Sequence, residues 1–202
     1  MATSANALIA HPSLPARSVK ELIAVAKARP DQVTYGSGGN GTSTHLSGEM
    51  LAQMAGVKMI HVPYRGAGPA TIDLLSGQIT WMYGTILSSI PYIQAGRVRA
   101  LAVSSGRRVS VMPDVPTVAE TLPGFEADAW YGVATSAGTP REVVSKLNHE
   151  IARALNTAEI RERLAREGAT VTAGSPEEFG AFFRAEMEKW AKVIRAAKIR
   201  LE

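Results

Sequence analysis

From Asn6 onward the chain alternates short apolar runs with amphipathic segments that carry their own start and stop signals, and this alternation constrains the fold more than any other feature. Asn6 to Ala10, an apolar run that meets His11-Pro12, predicts a strand. Ser18 and Glu21 form a capping-box pattern, Val19, Leu22, Ile23 and Ala26 recur at helical spacing, and Pro30 ends the helix. Val33 to Tyr35 predicts a second strand, and Leu46, Met50 and Met54 mark the buried stripe of a helix closed by Gly56. The pattern then repeats: strand Met59 to Val62, a loop, a short helix opened by Pro69 and ended by Gly77, and strand Ile79 to Tyr83. A helix around Ile90 to Ala95 and strand Val98 to Val103 follow.

Beyond Gly106 the character changes. Pro113, Pro116, Pro123 and Gly124 punctuate a stretch reaching Asp128, with one short helix begun by Thr117 and Glu120, and this reads as a connector between lobes. Strand Ala129 to Thr135 comes next, then a helix capped by Thr139 to Glu142 that carries Val144, Leu147, Ile151 and Leu155. A further helix bears Ile160 and Leu164, and Ala169 to Thr172 offers another strand. Ser175 to Glu178 opens the last helix, whose stripe of Phe179, Phe182, Phe183, Met187, Trp190 and Ile194 reads as core rather than as a cofactor box. Together these elements predict an α/β fold with largely parallel sheets. Leu201 and Glu202 are either native or a cloning remnant.

Composition narrows function by exclusion. With 46% hydrophobic and 20% charged residues, a chain of 202 residues can bury one core or divide into two lobes. The net charge of +4 suits an anionic ligand, but Lys and Arg are scattered, which argues against nucleic acid. There is no cysteine, so disulfides, thiol nucleophiles and Cys-ligated zinc are excluded. No apolar run reaches the roughly 18 residues that span a bilayer, and the first residues have neither a basic nor a sustained apolar region of a signal peptide.

The most informative local feature is Gly36-Ser37-Gly38-Gly39-Asn40-Gly41-Thr42-Ser43, set between a strand and a helix. Glycines allow backbone N–H groups to approach an anion, a helix N-terminus adds partial positive charge, and Thr42 and Ser43 add hydroxyls. A tight turn with an N-cap is the rival reading. The loop also satisfies the glycine spacing of a dinucleotide fingerprint, and of a P-loop in part. A P-loop lysine is absent, however, and Val62-Pro63-Tyr64-Arg65 lacks the acidic residue expected for NAD, leaving NADP through Arg65 as an alternative. Pro63 to Pro69 forms a second strand-to-helix loop, so the two loops should converge on one crevice, where Arg65 is either a carboxylate partner or a surface charge. None of His11, His45, His61 and His149 has metal-ligand spacing, and no catalytic constellation stands out; His45 either lines the site or serves capping and packing.

Four segments carry a resemblance: Val33-Thr-Tyr-Gly-Ser-Gly-Gly-Asn-Gly-Thr-Ser-Thr-His-Leu, His61-Val-Pro-Tyr-Arg-Gly, Met112-Pro-Asp-Val-Pro-Thr-Val-Ala-Glu, and Trp130-Tyr-Gly with Gly138-Thr-Pro. Their order and spacing resemble the substrate-binding proteins of tripartite tricarboxylate transporters (the Bug or TctC type). The resemblance implies a type II periplasmic-binding-protein architecture that closes two lobes on a small carboxylate and passes it to membrane permease subunits, with no catalysis, cofactor, metal or nucleic acid. Matching positions implies ligand contacts at Ser37, Gly38, Thr42, Ser43, Tyr64, Arg65 and Thr85, while Trp130 and Tyr131 either floor the cleft or belong to the core. Gly84-Thr85 departs from the Asp-Asn found in many relatives and removes a carboxylate from the cleft.

The resemblance further implies that residues 1–128 are lobe two with its hinge segments, and that 129–202 are the C-terminal portion of a lobe one lacking its first strands. A cut made on purpose and a misplaced start codon both fit that reading. An incomplete lobe should self-associate or stay partly disordered. The family's location is the periplasm; made as written, without an export signal, the chain would remain in the cytoplasm.

Overall fold

The computed structural model describes residues 1–199, so Leu201 and Glu202 lie outside the described residues. The chain opens with β1 (Ala2–Ser4) and passes directly into β2 (Asn6–Ala10), which is buried along its whole length as an unbroken apolar run should be. Ser18 accepts the Glu21 amide to start α1 (Val19–Ala28). The Glu21 carboxylate takes the Arg17 amide at 2.6 Å, so the expected capping box closes one residue early. β3 (Thr34–Ser37), α2 (Ser43–Ala55), β4 (Ile60–Pro63), α3 (Ala67–Leu75), β5 (Trp81–Thr85), α4 (Ile86–Gln94) and β6 (Arg99–Val103) follow in alternation. Thr42 caps α2, and Gly56 closes it in the left-handed conformation at φ 63°. α4 begins at Ile86, earlier than the Ile90 expected, because Pro91 is tolerated inside it. The Leu87 carbonyl that Pro91 leaves without a donor belongs to a residue 53% exposed to water.

These strands form a five-stranded sheet in the order β4-β3-β5-β2-β6. β3 runs parallel to β4 and β5, but β2 runs antiparallel to β5 and β6, so the expectation of largely parallel sheets holds for one flank. The reversal arises because β2 follows β1 out of a second sheet and enters from the opposite end. Leu8, Tyr35, Trp81 and Tyr83 pack on one face beneath α1 and α2, whereas Ile9, Met82 and Leu74 pack on the other with α3 and α4.

The second sheet has three strands, β7 (Ala129–Tyr131), β1 and β8 (Ala169–Val171), in the antiparallel order β7-β1-β8. Here the sequence reading needs two corrections. The strand from Ala129 stops at Tyr131, where pairing with β1 runs out, instead of reaching Thr135. Thr139 caps nothing: its hydroxyl bonds to the Ser136 carbonyl at 2.8 Å, and Pro140 is the N-cap of α5 (Arg141–Leu155) with no side-chain bond. α6 (Ala158–Arg166) and α7 (Pro176–Ala197) complete the chain, the latter opened by a full Ser175–Glu178 capping box.

The stripe on α7 divides. Trp190 and Val193 join the core beneath α2, where Gln53 donates to the Val193 carbonyl at 3.0 Å, and Trp130 packs edge-on against Phe179, Phe182 and Phe183. Trp130 thus serves packing. Phe183, Met187 and Ile194 are 43%, 57% and 36% exposed, so the core reading of the stripe is corrected for them: the three-stranded sheet is too narrow to cover a helix of 22 residues. Beside them lies a trough of about 790 Å³ lined by Tyr131, Val133, Val144, Leu147, Ile151 and Phe179. Between the sheets, the Arg108 guanidinium grips Glu120 at 2.8 Å and, with the Thr117 amide, holds that carboxyl down at about 2.

Candidate functional site

Parallel pairing places three strand-to-helix loops side by side. Gly36 is in register with Val62 on one flank and Met82 on the other, so Gly39, Arg65 and Thr85 each stand three residues beyond a common row. The N-termini of α2, α3 and α4 therefore open at the same edge, the carboxyl ends of parallel strands where ligands bind in open α/β sheets. The first two loops are stitched together: the Tyr64 amide donates to the Ser37 carbonyl at 3.1 Å and the Gly66 amide to the Gly38 carbonyl at 3.0 Å. A side chain at Gly38 would meet the Gly66 and Ala67 backbone at 3.7–3.8 Å.

All seven residues expected at the site lie along this edge, but their polar atoms face different ways. Ser37 is fully buried, its hydroxyl 2.6 Å from His61 Nε2 and accepting the Gly39 amide at 3.1 Å. Thr42 donates to the Gly39 carbonyl at 2.7 Å and caps α2. Tyr64 donates its hydroxyl to Asp73 at 2.7 Å; burial, then that bond, pushes the phenol up to about 12. Ser43, Arg65 and Thr85 are exposed, with Thr85 Oγ1 2.6 Å from Ser88 Oγ.

The loop amides turn inward too. Gly38 donates to Thr44 Oγ1 at 3.2 Å, Gly39 to Ser37, Gly41 to His45 Nδ1 at 3.1 Å and Thr42 to the Gly39 carbonyl at 3.3 Å. Glycine here serves a compact turn, with Gly39 and Gly41 at φ 133° and 73°, more than an open cradle of donors. A dinucleotide pyrophosphate needs those amides facing outward, so the geometry disfavours NADP. Capacity for an anion lies one step further on, at the Ser43 and Thr44 amides and at those of Ala67 and Gly68, which open α2 and α3 and have no intrahelical partner. Among the described residues no group of three or more His, Asp or Glu is arranged to hold a metal.

A family model described as "Tripartite tricarboxylate transporter family receptor" matches residues 1–199. The chain belongs to this family. The chain is 34% identical to Protein BugT of Bordetella pertussis over 196 residues, which covers 96% of the chain and 60% of that protein. An R. palustris structure with adipate matches with TM-score 0.86 at 36% identity, covering 98% of this chain and 67% of that one. MatC from Rhodopseudomonas palustris, solved with bound malate, matches with TM-score 0.78 at 30% identity, covering 96% and 67%. The chain spans 54% and 60% of the lengths of two curated relatives. Its α/β architecture is that of a partial type II two-lobe binding protein, and the family is one of receptors rather than enzymes.

Two residues that local patterning did not single out, Ser104 and Asp128, tie the crossings between the sheets. Ser104 accepts the Asn6 amide at 2.8 Å and donates to Asp128 Oδ1 at 2.8 Å, while its backbone bonds to Asn6 and Ala127. Burial pushes the Asp128 carboxyl up from 3.8 to about 6, against the Ser104 bond, with Glu126 and Glu186 raising it and Lys189 lowering it. The folded state thus holds this proton more tightly than the unfolded state, and stability falls as pH rises from about 4 to about 6. Asp128→Asn keeps an acceptor for Ser104 without the buried charge. It should therefore raise unfolding free energy at pH 7.5 by about 1–3 kcal/mol, and by almost nothing at pH 4. Urea melts at both pH values check this; a loss of stability at pH 7.5 would refute it. Asn6 itself is buried opposite Thr85, and its Nδ2 has no partner among the described residues. A hydrogen bond spanning 98 residues leaves no trace in local periodicity.

Proposed function

We propose that this chain is the ligand-capturing part of a periplasmic receptor that binds a small dicarboxylate and passes it to membrane permease subunits. The observation that carries the reading is the meeting of the α2 and α3 N-termini and exposed Arg65 at one sheet edge. One carboxylate can be held by Ser43, the Ser43 and Thr44 amides and Arg65, with Thr85 beside them. Ser37, Gly38, Thr42 and Tyr64 hold the loops in shape. The similar structures solved with adipate and with malate support the ligand class. Residues 1–128 and 129–202 correspond in this reading to lobe two with its hinge and to part of lobe one. The exposed trough on the latter part is the surface through which the chain, taken alone, associates with itself.

The test is calorimetric titration with adipate and malate at low salt, in a receptor of the relatives' full length. Arg65→Ala should weaken binding by about 1.5–3 kcal/mol, the worth of a hydrogen bond to a charged group, and Thr42→Ala with Ser43→Ala by about 1–3 kcal/mol. Unchanged affinity in both variants would remove the two loops from the site. NADP binding in a fluorescence titration, with no response to either dicarboxylate, would favour the dinucleotide alternative instead.

A further inference from the structure

His45 and His61 come from different elements, α2 and β4, yet their rings lie face to face, with centroids 3.7 Å apart and planes 6° from parallel. Behind them stands a rigid wall. The Tyr35 ring tilts against His61 at 5.0 Å and His45 at 6.4 Å, and stacks in turn on Trp81 at 5.0 Å. Each imidazole turns one nitrogen to the glycine loop. His45 Nδ1 accepts the Gly41 amide at 3.1 Å, and His61 Nε2 meets Ser37 Oγ at 2.6 Å, the same oxygen that accepts the Gly39 amide. Two loop amides therefore end on the pair, one directly and one through a single hydroxyl.

We propose that the stacked His45–His61 pair is a positioning element that sets the shape of the glycine loop, and through it the aim of the Ser43 and Thr44 amides at the anion site. The inference rests on reading this edge as that site. The role requires neutral rings. A proton on His45 Nδ1 would set donor against donor at Gly41, and two imidazolium rings 3.7 Å apart would repel strongly where His45 is buried and His61 partly so.

The surroundings supply that condition. Burial, then the neighbouring His45, pushes His61 down to about 4, and burial lowers His45 against the opposing pull of Glu49. The titratable groups facing the pair are Tyr35 from β3 and Glu49 from α2. Glu49 lies 3.9 Å from His45 Nε2 and accepts the Tyr35 hydroxyl at 2.5 Å. Because the folded state resists protonation here, the unfolded state gains protons first as pH falls below about 6.5, and the loop loses support progressively toward pH 4.

Two kinds of variant separate positioning from bulk packing. His45→Asn carries an amide oxygen near the place of Nδ1 and His61→Gln an amide near the place of Nε2, whereas His45→Leu and His61→Leu carry neither. The readout is NMR hydrogen exchange of the Gly39 and Gly41 amides in the 202-residue chain at pH 7, which needs no ligand. His45→Leu should speed Gly41 exchange, and His61→Leu that of Gly39, about tenfold, with Asn and Gln restoring most of the protection. Adipate affinity, measured in the full-length receptor, should follow the same order. Exchange unchanged in the Leu variants, or lost equally in the conservative pair despite unchanged melting temperature, would overturn the proposal. Should exchange respond as expected while adipate fails to bind even the unsubstituted receptor, the positioning role stands and the carboxylate reading falls.

Discussion

Gly48→Ala lowers the unfolding free energy by about 2 kcal/mol or more, although it exchanges a helical glycine for the best helix former. The added Cβ would sit 2.3 Å from one Tyr35 ring atom and 2.8 Å from two others, closer than carbon atoms approach. Tyr35 cannot retreat. It is fully buried, stacked on Trp81 and tied through its hydroxyl to Glu49, and its displacement would also push the His45–His61 pair. The helix-propensity gain of about 1 kcal/mol is smaller than the strain of overpacking such a site, which runs to about 3 kcal/mol and sometimes more. Gly180→Ala on α7 supplies the contrast. Its Cβ would meet the end of Arg184 at 3.6 Å, an ordinary contact, so the propensity term stands alone and stability rises by about 0.5–1 kcal/mol. Denaturant melts of the two variants should shift in opposite directions; a shift in the same direction would mean that Tyr35 has room to move.

The second large effect concerns association. Tyr131 and Val133 are 64% and 66% exposed, and Leu147 on α5 is 42% exposed, all lining the trough beside the unpaired edges of β7 and β8. Contiguous apolar surface next to open strand edges is uncommon on monomers and finds a partner. Taken alone, the 202-residue chain should show a mass rising with concentration in the micromolar range by light scattering, and strong binding of an apolar dye. Val133→Glu with Leu147→Glu should weaken that association at least tenfold, since each added carboxylate would have to lose its hydration in the contact. Both sites are exposed, so the fold itself should tolerate the change within about 0.5 kcal/mol per site. A monodisperse monomer at every concentration, before any substitution, would remove this face as an interface.

The elements near residues 6 to 103 were legible because their signals are local. Ser18, Gly56 and Gly77 act on their own turns, and the spacing of Leu22, Ala26, Leu46 and Met50 repeats within single helices, so sequence period and structure coincide. The convergence of the two loops was legible for the same reason, since β-loop-α units in succession place their turns at one sheet edge. Beyond Ala129 local signals still marked α5, α6, β8 and the Ser175–Glu178 capping box of α7, but they misled on the length of β7 and on burial. Val133 and Thr135 have strand-forming side chains, but a strand needs a partner, and β1 offers only Ala2 to Ser4. Phe183 and Met187 keep helical spacing, yet burial depends on what stands opposite, and the narrow sheet leaves both in contact with water.

Read by itself, the sequence determined the alternation of strands and helices, the glycine turn between β3 and α2, and the placement of Arg65 and Thr85 at strand ends. Those follow from backbone preferences and caps that act over a few residues. Tertiary structure alone decided the reversal of β2, the pairing of Ala2–Ser4 into a second sheet, and the inward turn of the loop amides. It alone brought His45 against His61, because the parallel register of Tyr35 with His61 and the seating of α2 over that row are set by packing between segments that no local spacing encodes.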